Sequence, residues 1–356
     1  MKSKLISILK IIAIVIVLLI ATVGGYLGFL TIKDYRPEKI VELDVENNVE
    51  DNVKIGEELT IITNNIGFGG MDKDVHFFMD GGTMSRGISE ERVIYNTNKE
   101  IEVMKNENPN FMMIQEADIR STRSYNVDQY DYLKKGFSDF AATYAINYDV
   151  PWLALPLAEP HGRVLASQVT LSNKKVISSE RIALPIDETW PQRLAGLDRL
   201  MLVNRVEVEN GKELVVVNVH LSAYDKGGLI RKEQLGFVKE FLNEEYEKGN
   251  YVVLGGDFNQ AIPGSDAGIF ETQEEWPEWL VEMPEDFKPS GYSWSFDGNL
   301  PTCRNAGKEY IKGYNFLSII DGFIVSDNIE VTEVKGIDTE FEYSDHNPVK
   351  LKFKLK

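Results

Sequence analysis

Residues 251–260 read YVVLGGDFNQ, and this stretch limits the fold more than any other part of the chain. Its run of β-branched and apolar residues is typical of a strand that is buried on both faces. The two glycines that follow let a backbone or a ligand approach closely. Asp257 and Asn259 are two positions apart, so they point to the same face of an extended chain. The stretch predicts a buried strand whose polar end suits a metal, a water or a phosphate oxygen, or else an Asx turn that closes the strand.

The composition indicates a globular protein with an acidic surface. The chain has 356 residues and 43% hydrophobic content, enough for one large α/β domain or two small ones. Its 56 acidic side chains outnumber its 38 basic ones, and the net charge of −18 repels polyanions at long range. This disfavours nonspecific nucleic-acid binding but leaves a locally basic cleft open. The single cysteine, Cys303, excludes an intrachain disulfide and a cysteine metal cluster.

A segment without any charge lies near the N-terminus, at residues 11–32. As a helix, its 22 residues are long enough to cross the ~30 Å hydrocarbon core of a bilayer. Three lysines precede it, so the positive-inside tendency keeps the N-terminus in the cytoplasm and exports the body. Ala21, Gly24 and Gly25 offer small residues for cleavage as a signal peptide, which would release a secreted form. The length of the segment favours an uncleaved, single-pass anchor in the cell membrane.

The rest of the chain divides into a short connection and one domain. Residues 1–32 form the cytoplasmic tip and transmembrane anchor, residues 33–58 are rich in charge and Asn and predict a stalk, and residues 59–356 form the domain. Within the domain, many strands and a few helices follow one another through hairpin-length connections. This pattern favours an α/β fold, a four-layer α/β/β/α sandwich of two packed mixed sheets, over a doubly wound parallel sheet.

Polar residues recur at the ends of the predicted strands. One isolated His or Asp in such a place is usually a satisfied turn residue, whereas six polar ends in one chain are typical of a shared site. Two of the four histidines of the chain belong to this set. The six ends contain Asn64 and Asn65; Gln115 and Glu116; Asn218 and His220; Asp257 and Asn259; Asp321; and Asp345, His346 and Asn347.

These ends resemble, in order, the motifs of the endonuclease/exonuclease/phosphatase superfamily. That family includes DNase I-like nucleases, abasic-site endonucleases, inositol-polyphosphate phosphatases and bacterial neutral sphingomyelinases. The matching segments are NNIGFG, IQEAD, NVHLSAY, GGDFN, IIDGF and SDHNPV, and the resemblance runs from about residue 59 to the C-terminus. It implies a membrane-anchored, bacterial-type member of the family that hydrolyses phosphoester bonds.

The resemblance also implies a metal site. Glu116 is similar to the principal metal ligand of the family, and Asn65 and Asp345 are similar to groups that complete the metal and phosphate environment. Mg²⁺ is the expected ion, because it accepts few protein carboxylates and keeps several waters; Mn²⁺ and Ca²⁺ are the alternatives. The lack of clustered His and Cys in the sequence argues against zinc.

For the reaction itself, the resemblance implies that His346 is the general base and that Asp321 orients it. Asp257 and Asn259 would position the attacking water and contact the phosphate, and His220 would donate a hydrogen bond to a phosphate oxygen. Asn218 belongs to the same motif as His220 and is expected to bind substrate.

Loops between the strands are expected to select the substrate, since members of this fold differ there. Residues 71–89 mix aromatic residues with glycines. Arg120 and Arg123 directly follow the Gln-Glu motif and would reach a phosphate or an anionic head group, or else lie in a solvated turn. Residues 261–301 carry three tryptophans, with nine acidic residues against one Lys between positions 266 and 297. Such a loop suits a lipid head group, a choline-like cation or a membrane interface better than DNA, unless the tryptophans only pack beneath it.

The sequence as a whole predicts a membrane-tethered, divalent-metal-dependent phosphoesterase that faces outward and cleaves a phospholipid or another small phosphodiester. An extracellular nuclease of DNase I type is the alternative enzyme, with nucleic acid the less expected substrate. A noncatalytic binding module is the alternative from another class, although every motif residue that the chemistry needs is present. No obligate protein partner is evident from the sequence.

Overall fold

The computed structural model describes residues 2–225 and 228–356. Its helices are α1 (Lys2–Lys33), α2 (Glu90–Asn106), α3 (Gln129–Gly136) and α4 (Leu229–Glu247). Its strands are β1 (Ile40–Glu42), β2 (Leu59–Asn65), β3 (Phe111–Asp118), β4 (Ala141–Leu153), β5 (Gly162–Ser172), β6 (Val176–Ala183), β7 (Leu200–Glu207), β8 (Glu213–His220), β9 (Tyr251–Asp257), β10 (Tyr292–Ser295), β11 (Cys303–Arg304), β12 (Leu317–Ser318), β13 (Asp321–Ser326), β14 (Ile329–Gly336) and β15 (Val349–Leu355).

Most of these strands belong to two large mixed sheets. The seven-stranded sheet has the order β1-β6-β7-β8-β9-β13-β10, and the six-stranded sheet has the order β14-β15-β2-β3-β5-β4. β8 runs parallel to β9, and β2 runs parallel to β3. The other neighbours are antiparallel, as expected where short hairpin connections join consecutive strands. The two remaining strands, β11 and β12, form a small ribbon of their own.

The sheets pack face to face, and helices cover their outer faces. The core between the sheets is apolar and fully buried; it includes Phe111, Met113, Val216, Phe323 and Leu351. On the outer face of the seven-stranded sheet, α4 contributes Val238 and Leu242. On the outer face of the six-stranded sheet, α2 and α3 contribute Met104 and Leu133. The layer order is α/β/β/α, which confirms the predicted fold class.

β9 lies inside the seven-stranded sheet, between β8 and β13, and is buried at every position. This confirms the predicted strand. At its end, Gly256 has a φ of 145°, and a Cβ there would lie 1.9 Å from the carbonyl oxygen of Val219 on β8. Only glycine lets the two strands approach this closely. The pairing brings His220 beside Asp257 in register.

α1 contains one segment, Lys4–Lys33, that is long and apolar enough to cross a membrane; a signal sequence would meet the same criterion. Its side chains are exposed from position 4 to Gly25. Its last turns instead pack against the domain, where Leu30 is only 4% exposed. The hydroxyl of Tyr26 donates to the carbonyl oxygen of Trp152 at 2.9 Å.

Residues 33–58 do not form the free stalk that their charge suggests. β1 pairs with β6 at the edge of the seven-stranded sheet. Glu46 forms an isolated bridge with Ala142, and Val53 forms another with Val208. Val53 is fully buried in the core between the sheets. A few apolar residues placed between acidic ones are enough to attach this segment to the domain, and composition alone conceals them.

A buried ion pair joins α4 to the seven-stranded sheet. Arg205 on β7 donates to Glu245 over 2.7 Å. Glu245 also accepts hydrogen bonds from Lys248 and Asn250, each over 2.8 Å, and its side chain is 1% exposed. Burial by itself raises the pKa of Glu245, but these three donors outweigh it and lower the pKa to about 2.

We expect Glu245→Gln to lower the free energy of unfolding at pH 7 by about 3 kcal/mol, because Arg205 loses its charged partner. The folded-state pKa lies below the ordinary value of 4.5. Ionised Glu245 therefore stabilises the protein fully above about pH 4.5, and this contribution is lost as the pH falls toward 2. Urea unfolding of both proteins between pH 7 and pH 3 should show the difference shrinking. The exposed Glu240→Gln on the same helix should cost less than about 0.5 kcal/mol throughout; a pH-independent difference for Glu245→Gln would contradict the expectation.

Candidate active site

The polar strand ends meet at one end of the sandwich. They face a cavity of about 1180 Å³. The residues of both sheets contribute to its lining, since β3 belongs to the six-stranded sheet and β8 and β9 to the seven-stranded sheet. Among the predicted site residues, those that line it are Glu116, Arg123, His220, Asp257, Asn259, Asp345 and His346.

Asn65, at the end of β2, connects the two sheets beside this cavity. Its side-chain amide donates to Asp257 Oδ2 at 3.0 Å, and the same nitrogen lies 3.4 Å from Glu116 Oε1. Its side-chain oxygen accepts from the backbone N–H of Gly67 at 3.0 Å. The neighbouring Asn64 points away and donates to the buried Glu100 at 2.7 Å. Only the second Asn of the NNIGFG motif therefore belongs to the site.

Glu116 is directed into the cavity by a β-bulge. The register of β3 against β5 shifts between Ile114 and Ala117, and Glu116 has a φ of 55°, outside the range of an ordinary strand residue. Its Oε2 lies 3.8 Å from Arg123 Nη1. Burial raises the pKa of Glu116, the Arg123 cation opposes this rise, and the negative charge of Asp345 adds to it.

His346 and Asp321 form a close ionisable pair in the site. The imidazole Nδ1 lies 2.9 Å from Asp321 Oδ2, which leaves Nε2 on the side of Asp257, 3.8 Å from its Oδ2. Burial alone would lower the pKa of His346, but Asp321, Cys303 and Asp257 raise it well above 6.5. Burial raises the pKa of Asp257 to about 7. The positive charge of His346 opposes this rise, and repulsion by Asp321 adds to it. The pair fixes the orientation of the ring, as predicted for a base and its orienting carboxylate.

His220 has a different environment, although it also touches Asp257. Its Nε2 lies 3.5 Å from Asp257 Oδ2. Burial lowers its pKa well below 6.5, and the nearby Arg199 cation lowers it further. Its Nδ1 is buried and has no hydrogen-bond partner among the described residues. A neutral imidazole of this kind is suited to donate one hydrogen bond rather than to carry charge.

Asn259 follows β9 and has a φ of 51°. Its backbone N–H donates to Asp257 Oδ1 at 2.8 Å, and its side-chain amide donates to the carbonyl oxygen of Leu221 at 2.9 Å. The first bond is the Asx turn that the sequence left open, and it coexists with a place in the cavity lining. The turn and the site are therefore one feature.

Two of the residues expected to bind substrate do not reach the cavity lining. Asn218 is fully buried, accepts from Gln115 at 2.7 Å, and donates to the carbonyl oxygens of Ile114 and Val169. It links the two sheets beneath the site, because β8 and β3 face each other there. Arg120 is exposed at the surface outside the lining. Its alternative interpretation as part of a solvated turn matches this position.

Arg123, in contrast, lies at the cavity and is 6% exposed. It makes a two-pronged pair with Asp118 at 2.9 and 3.0 Å, and its guanidinium stacks 4.1 Å from the ring centroid of Phe68. Burial alone would lower the pKa of Arg123, but the charges of Asp118 and Glu116 outweigh it and raise the pKa. It is a fixed cation next to Glu116, in a place where a phosphate oxygen would be favourable.

Arg199 also lines the cavity, although no sequence motif marks it. It directly precedes β7 and is 8% exposed, and its Nη1 donates to the carbonyl oxygen of His220 at 3.2 Å. Burial lowers its pKa, and the charges of Asp257 and Glu116 oppose that change. A lone arginine before a strand carries no motif, so only the folded chain identifies it as a second cation of the site.

The donors in the cavity fit a divalent cation. Glu116 and Asp345 line the cavity and offer the hard carboxylate oxygens that Mg²⁺ prefers. Asn65 lies beside Glu116 and directs its amide nitrogen toward that carboxylate, while its oxygen accepts from Gly67. The raised pKa of Glu116 reflects burial and repulsion by Asp345, both of which a bound cation would relieve. A second group, Asp257, Asp321 and His346, also has ligand atoms within 4.8 Å of one another. A metal at that group would compete with the His346–Asp321 hydrogen bond, so we favour the first set.

The two long loops contribute unequally to the cavity. Residues 71–89 supply Phe77, Phe78 and Met79 to its lining. Of the three tryptophans in residues 261–301, only Trp279 lines it. Trp294 lies on β10 and packs against the core under α4, while Trp276 is 46% exposed and packs edge-on against Phe316. Of the three tryptophans considered for contact with a substrate, only Trp279 therefore lies at the cavity, and ordinary packing accounts for the other two.

Comparison with known proteins identifies relatives in structure but not in sequence. No protein-family model matches the sequence, and no curated protein matches it. An endonuclease/exonuclease/phosphatase from Beutenbergia cavernae matches with 15% identity over 84% of this chain and 72% of that chain, with a TM-score of 0.52. D. rerio TDP2 complexed with a single-strand DNA product matches with 15% identity over 84% and 99%, with a TM-score of 0.53. The human Nocturnin catalytic domain with bound sulfate matches with 14% identity over 88% and 97%, with a TM-score of 0.51.

Proposed function

We propose, from the endonuclease/exonuclease/phosphatase fold of this chain, that it is a divalent-metal-dependent phosphodiesterase tethered to the cell membrane by α1, with its catalytic domain outside the cytoplasm. Its substrate is a phospholipid or another small phosphodiester. The observation that carries the proposal is the convergence of both sheets on one cavity, lined by Glu116, His220, Asp257, Asn259, Asp345 and His346. These are the residue types that phosphoester hydrolysis needs: an oxygen donor set, a base and hydrogen-bond donors.

In this mechanism, His346 accepts the proton of the attacking water through Nε2 as the oxygen of that water bonds to phosphorus. The bond from phosphorus to the lipid alcohol breaks, the alcohol oxygen takes a proton from solvent, and the phosphate leaves with the soluble head group. Asp321 holds the opposite nitrogen of the ring at 2.9 Å and stabilises the imidazolium that forms. Asp257 lies on the Nε2 side of the ring and, with Asn259, positions the water. Asp321, Cys303 and Asp257 raise the pKa of His346 well above 6.5, and the positive charge of a cation at Glu116 and Asp345 would lower this pKa toward that of a neutral, basic imidazole.

The phosphate group is bound by further donors that line the same cavity. Neutral His220 donates to one phosphate oxygen. Arg123 and Arg199 supply positive charge where negative charge develops on the phosphate. A divalent metal held by Glu116 and Asp345, beside Asn65, would act as a Lewis acid that neutralises phosphate oxygens. The acidic net charge of −18 supports a small or lipid substrate over a long polyanion.

A substrate panel tests the proposal. The full chain in detergent micelles is incubated with Mg²⁺ and, separately, with phosphatidylcholine, sphingomyelin, inositol polyphosphates, single-stranded DNA and bis(4-nitrophenyl) phosphate. We expect hydrolysis of the lipids and of the small diester, and loss of both on chelation. Mn²⁺ and Ca²⁺ in place of Mg²⁺ identify the ion. Cleavage of DNA alone would favour the extracellular nuclease, and binding without hydrolysis of any compound would favour the noncatalytic module.

A further inference from the structure

The helix α1 lines the same cavity as the catalytic residues. Val23, Tyr26 and Leu27 of α1 line it together with Glu116 and His346. Further apolar side chains of the domain also line it. We define the apolar wall of the cavity as Val23, Tyr26, Leu27, Leu153, Leu155 and Leu197. A phosphoester site needs no such wall for a polar substrate, so the wall calls for an apolar group attached to the phosphate.

The position of α1 places this wall at the level of the membrane. The charge-free part of α1 that is free of the domain, residues 11–25, spans about 22 Å as a helix. This is shorter than the ~30 Å hydrocarbon core of a bilayer. If the whole charge-free segment lies in the bilayer, residues 26–32 also lie within it. The protein surface that packs around these residues is then in contact with the lipid.

Large apolar side chains are exposed on that surface. Trp152, Leu155, Leu157 and Trp190, which we call the apolar rim, are 42%, 63%, 82% and 61% exposed. The rim is attached to α1: Tyr26 donates to the backbone of Trp152, and Trp190 Nε1 donates to Thr31 Oγ1 at 3.2 Å. Tryptophan is favoured at membrane interfaces, and exposed leucines are stabilised there because they leave water.

We propose, resting on the function proposed above, that the substrate is a phospholipid drawn from the same bilayer that holds α1. The lipid head group reaches Glu116 and His346, while its acyl chains lie against the apolar wall, to which α1 contributes directly. The anchor is then part of the substrate-binding site as well as a tether. Free soluble phosphodiesters can still enter the site, but they leave the wall unused.

Vesicle assays with the full chain test whether the enzyme acts on its own membrane. The protein is reconstituted into vesicles of mixed phosphatidylcholine, phosphatidylethanolamine, phosphatidylglycerol and sphingomyelin. Radiolabelled phosphate is carried either by the lipids of those vesicles or by protein-free vesicles in the same sample, and water-soluble label is counted. We expect hydrolysis in the protein's own vesicles to be at least about tenfold faster. Equal rates from both vesicle populations would overturn the inference.

Two variants test the wall and the rim separately. Val23→Trp fills the wall from α1, and its matched control is Val17→Trp, an exposed position of the same helix that does not line the cavity. Leu157→Asp places a charge on the rim; its control is Val331→Asp on β14, at the sheet edge opposite to β4. We expect Val23→Trp and Leu157→Asp to lower lipid hydrolysis about fivefold to tenfold. Both controls should stay within about twofold of the unchanged protein.

Hydrolysis of bis(4-nitrophenyl) phosphate separates this inference from the proposed function. Leu157→Asp should leave it within about twofold, because Leu157 lies on the rim, outside the cavity lining. If the unchanged protein hydrolyses the soluble diester but no lipid, the inference fails while the phosphodiesterase function stands. If it hydrolyses neither compound, the proposed function fails as well. Loss of soluble-diester hydrolysis in Leu157→Asp would show that this variant acts through folding, and this too would overturn the inference.

Discussion

Glu116→Gln is expected to lower kcat/KM for bis(4-nitrophenyl) phosphate by about 10³-fold. Glu116 reaches the cavity through the bulge of β3 and offers its carboxylate beside Asn65. The amide keeps the size of the side chain but removes the negative charge that would hold a divalent cation against the phosphate. Steady-state kinetics at saturating Mg²⁺ are the measurement.

A thermal shift assay gives a readout that does not depend on turnover. Burial and the negative charge of Asp345 raise the pKa of Glu116, so its ionised form is disfavoured in the metal-free protein. Glu116→Gln should therefore melt at the same temperature as the unchanged protein in chelator, or about 1–3 °C higher. Addition of Mg²⁺ should stabilise the unchanged protein and leave the variant nearly unaffected. Glu240→Gln, at an exposed position, is the matched control. An equal Mg²⁺-dependent rise of the melting temperature in the unchanged protein and in Glu116→Gln would exclude Glu116 as a ligand.

The second large effect is expected at the His346–Asp321 pair. His346→Asn should lower kcat by about 10³-fold, because the variant lacks the base that takes the proton of the attacking water. In His346, Asp321 holds Nδ1 at 2.9 Å and leaves Nε2 on the side of Asp257; no other histidine among the described residues has this arrangement. Asp321→Asn should lower kcat by about 10²-fold and leave KM within about threefold, because Asp321 acts through His346 and not on the substrate. Initial rates over a range of substrate concentrations separate the two constants.

The controls for this pair address folding and position. His76→Asn changes a histidine that lies outside the cavity lining and should keep full activity. Circular dichroism and thermal melting should be unchanged in all three variants to within a few degrees. A rise in KM for Asp321→Asn without a fall in kcat would assign Asp321 to substrate binding. Near-normal turnover by His346→Asn would exclude His346 as the base.

Local sequence patterns predicted most of the fold, because one local property, such as an apolar run or a capping residue, is enough to identify each central element. β9 is an uninterrupted apolar run, and the structure buries it on both faces. Serine is a preferred N-cap residue, and the side chain of Ser89 accepts from the backbone N–H of Arg92 at the start of α2. The edge strand β1 has only three residues, and β14 is exposed or half-buried along its middle, so neither has the buried apolar run of a central strand. Their pairing depends on neighbours distant in sequence, which local patterns do not record.

The site divides in the same way. Residues at strand ends, such as Asp257 and His346, could be selected from sequence because the chain places a polar group directly after an apolar run. Asn218 occupies such an end as well, yet its hydrogen bonds to β3 and β5 occupy its whole amide. Arg199 lies before its strand and could not be selected, since the antiparallel pairing of β7 with β8 brings it to His220, and the parallel pairing of β8 with β9 then places Asp257 beside His220. Motifs locate strand ends, whereas the direction of each side chain depends on tertiary packing.

The hydrogen bond from Asn65 to Asp257 joins side chains that belong to different sheets. Neither sheet carries all the polar residues of the cavity, so only the joined sheets complete the site. Under the proposed function, hydrolysis would therefore require the finished sandwich, and a chain exported in an unfolded state would leave the surrounding lipids intact until both sheets had joined.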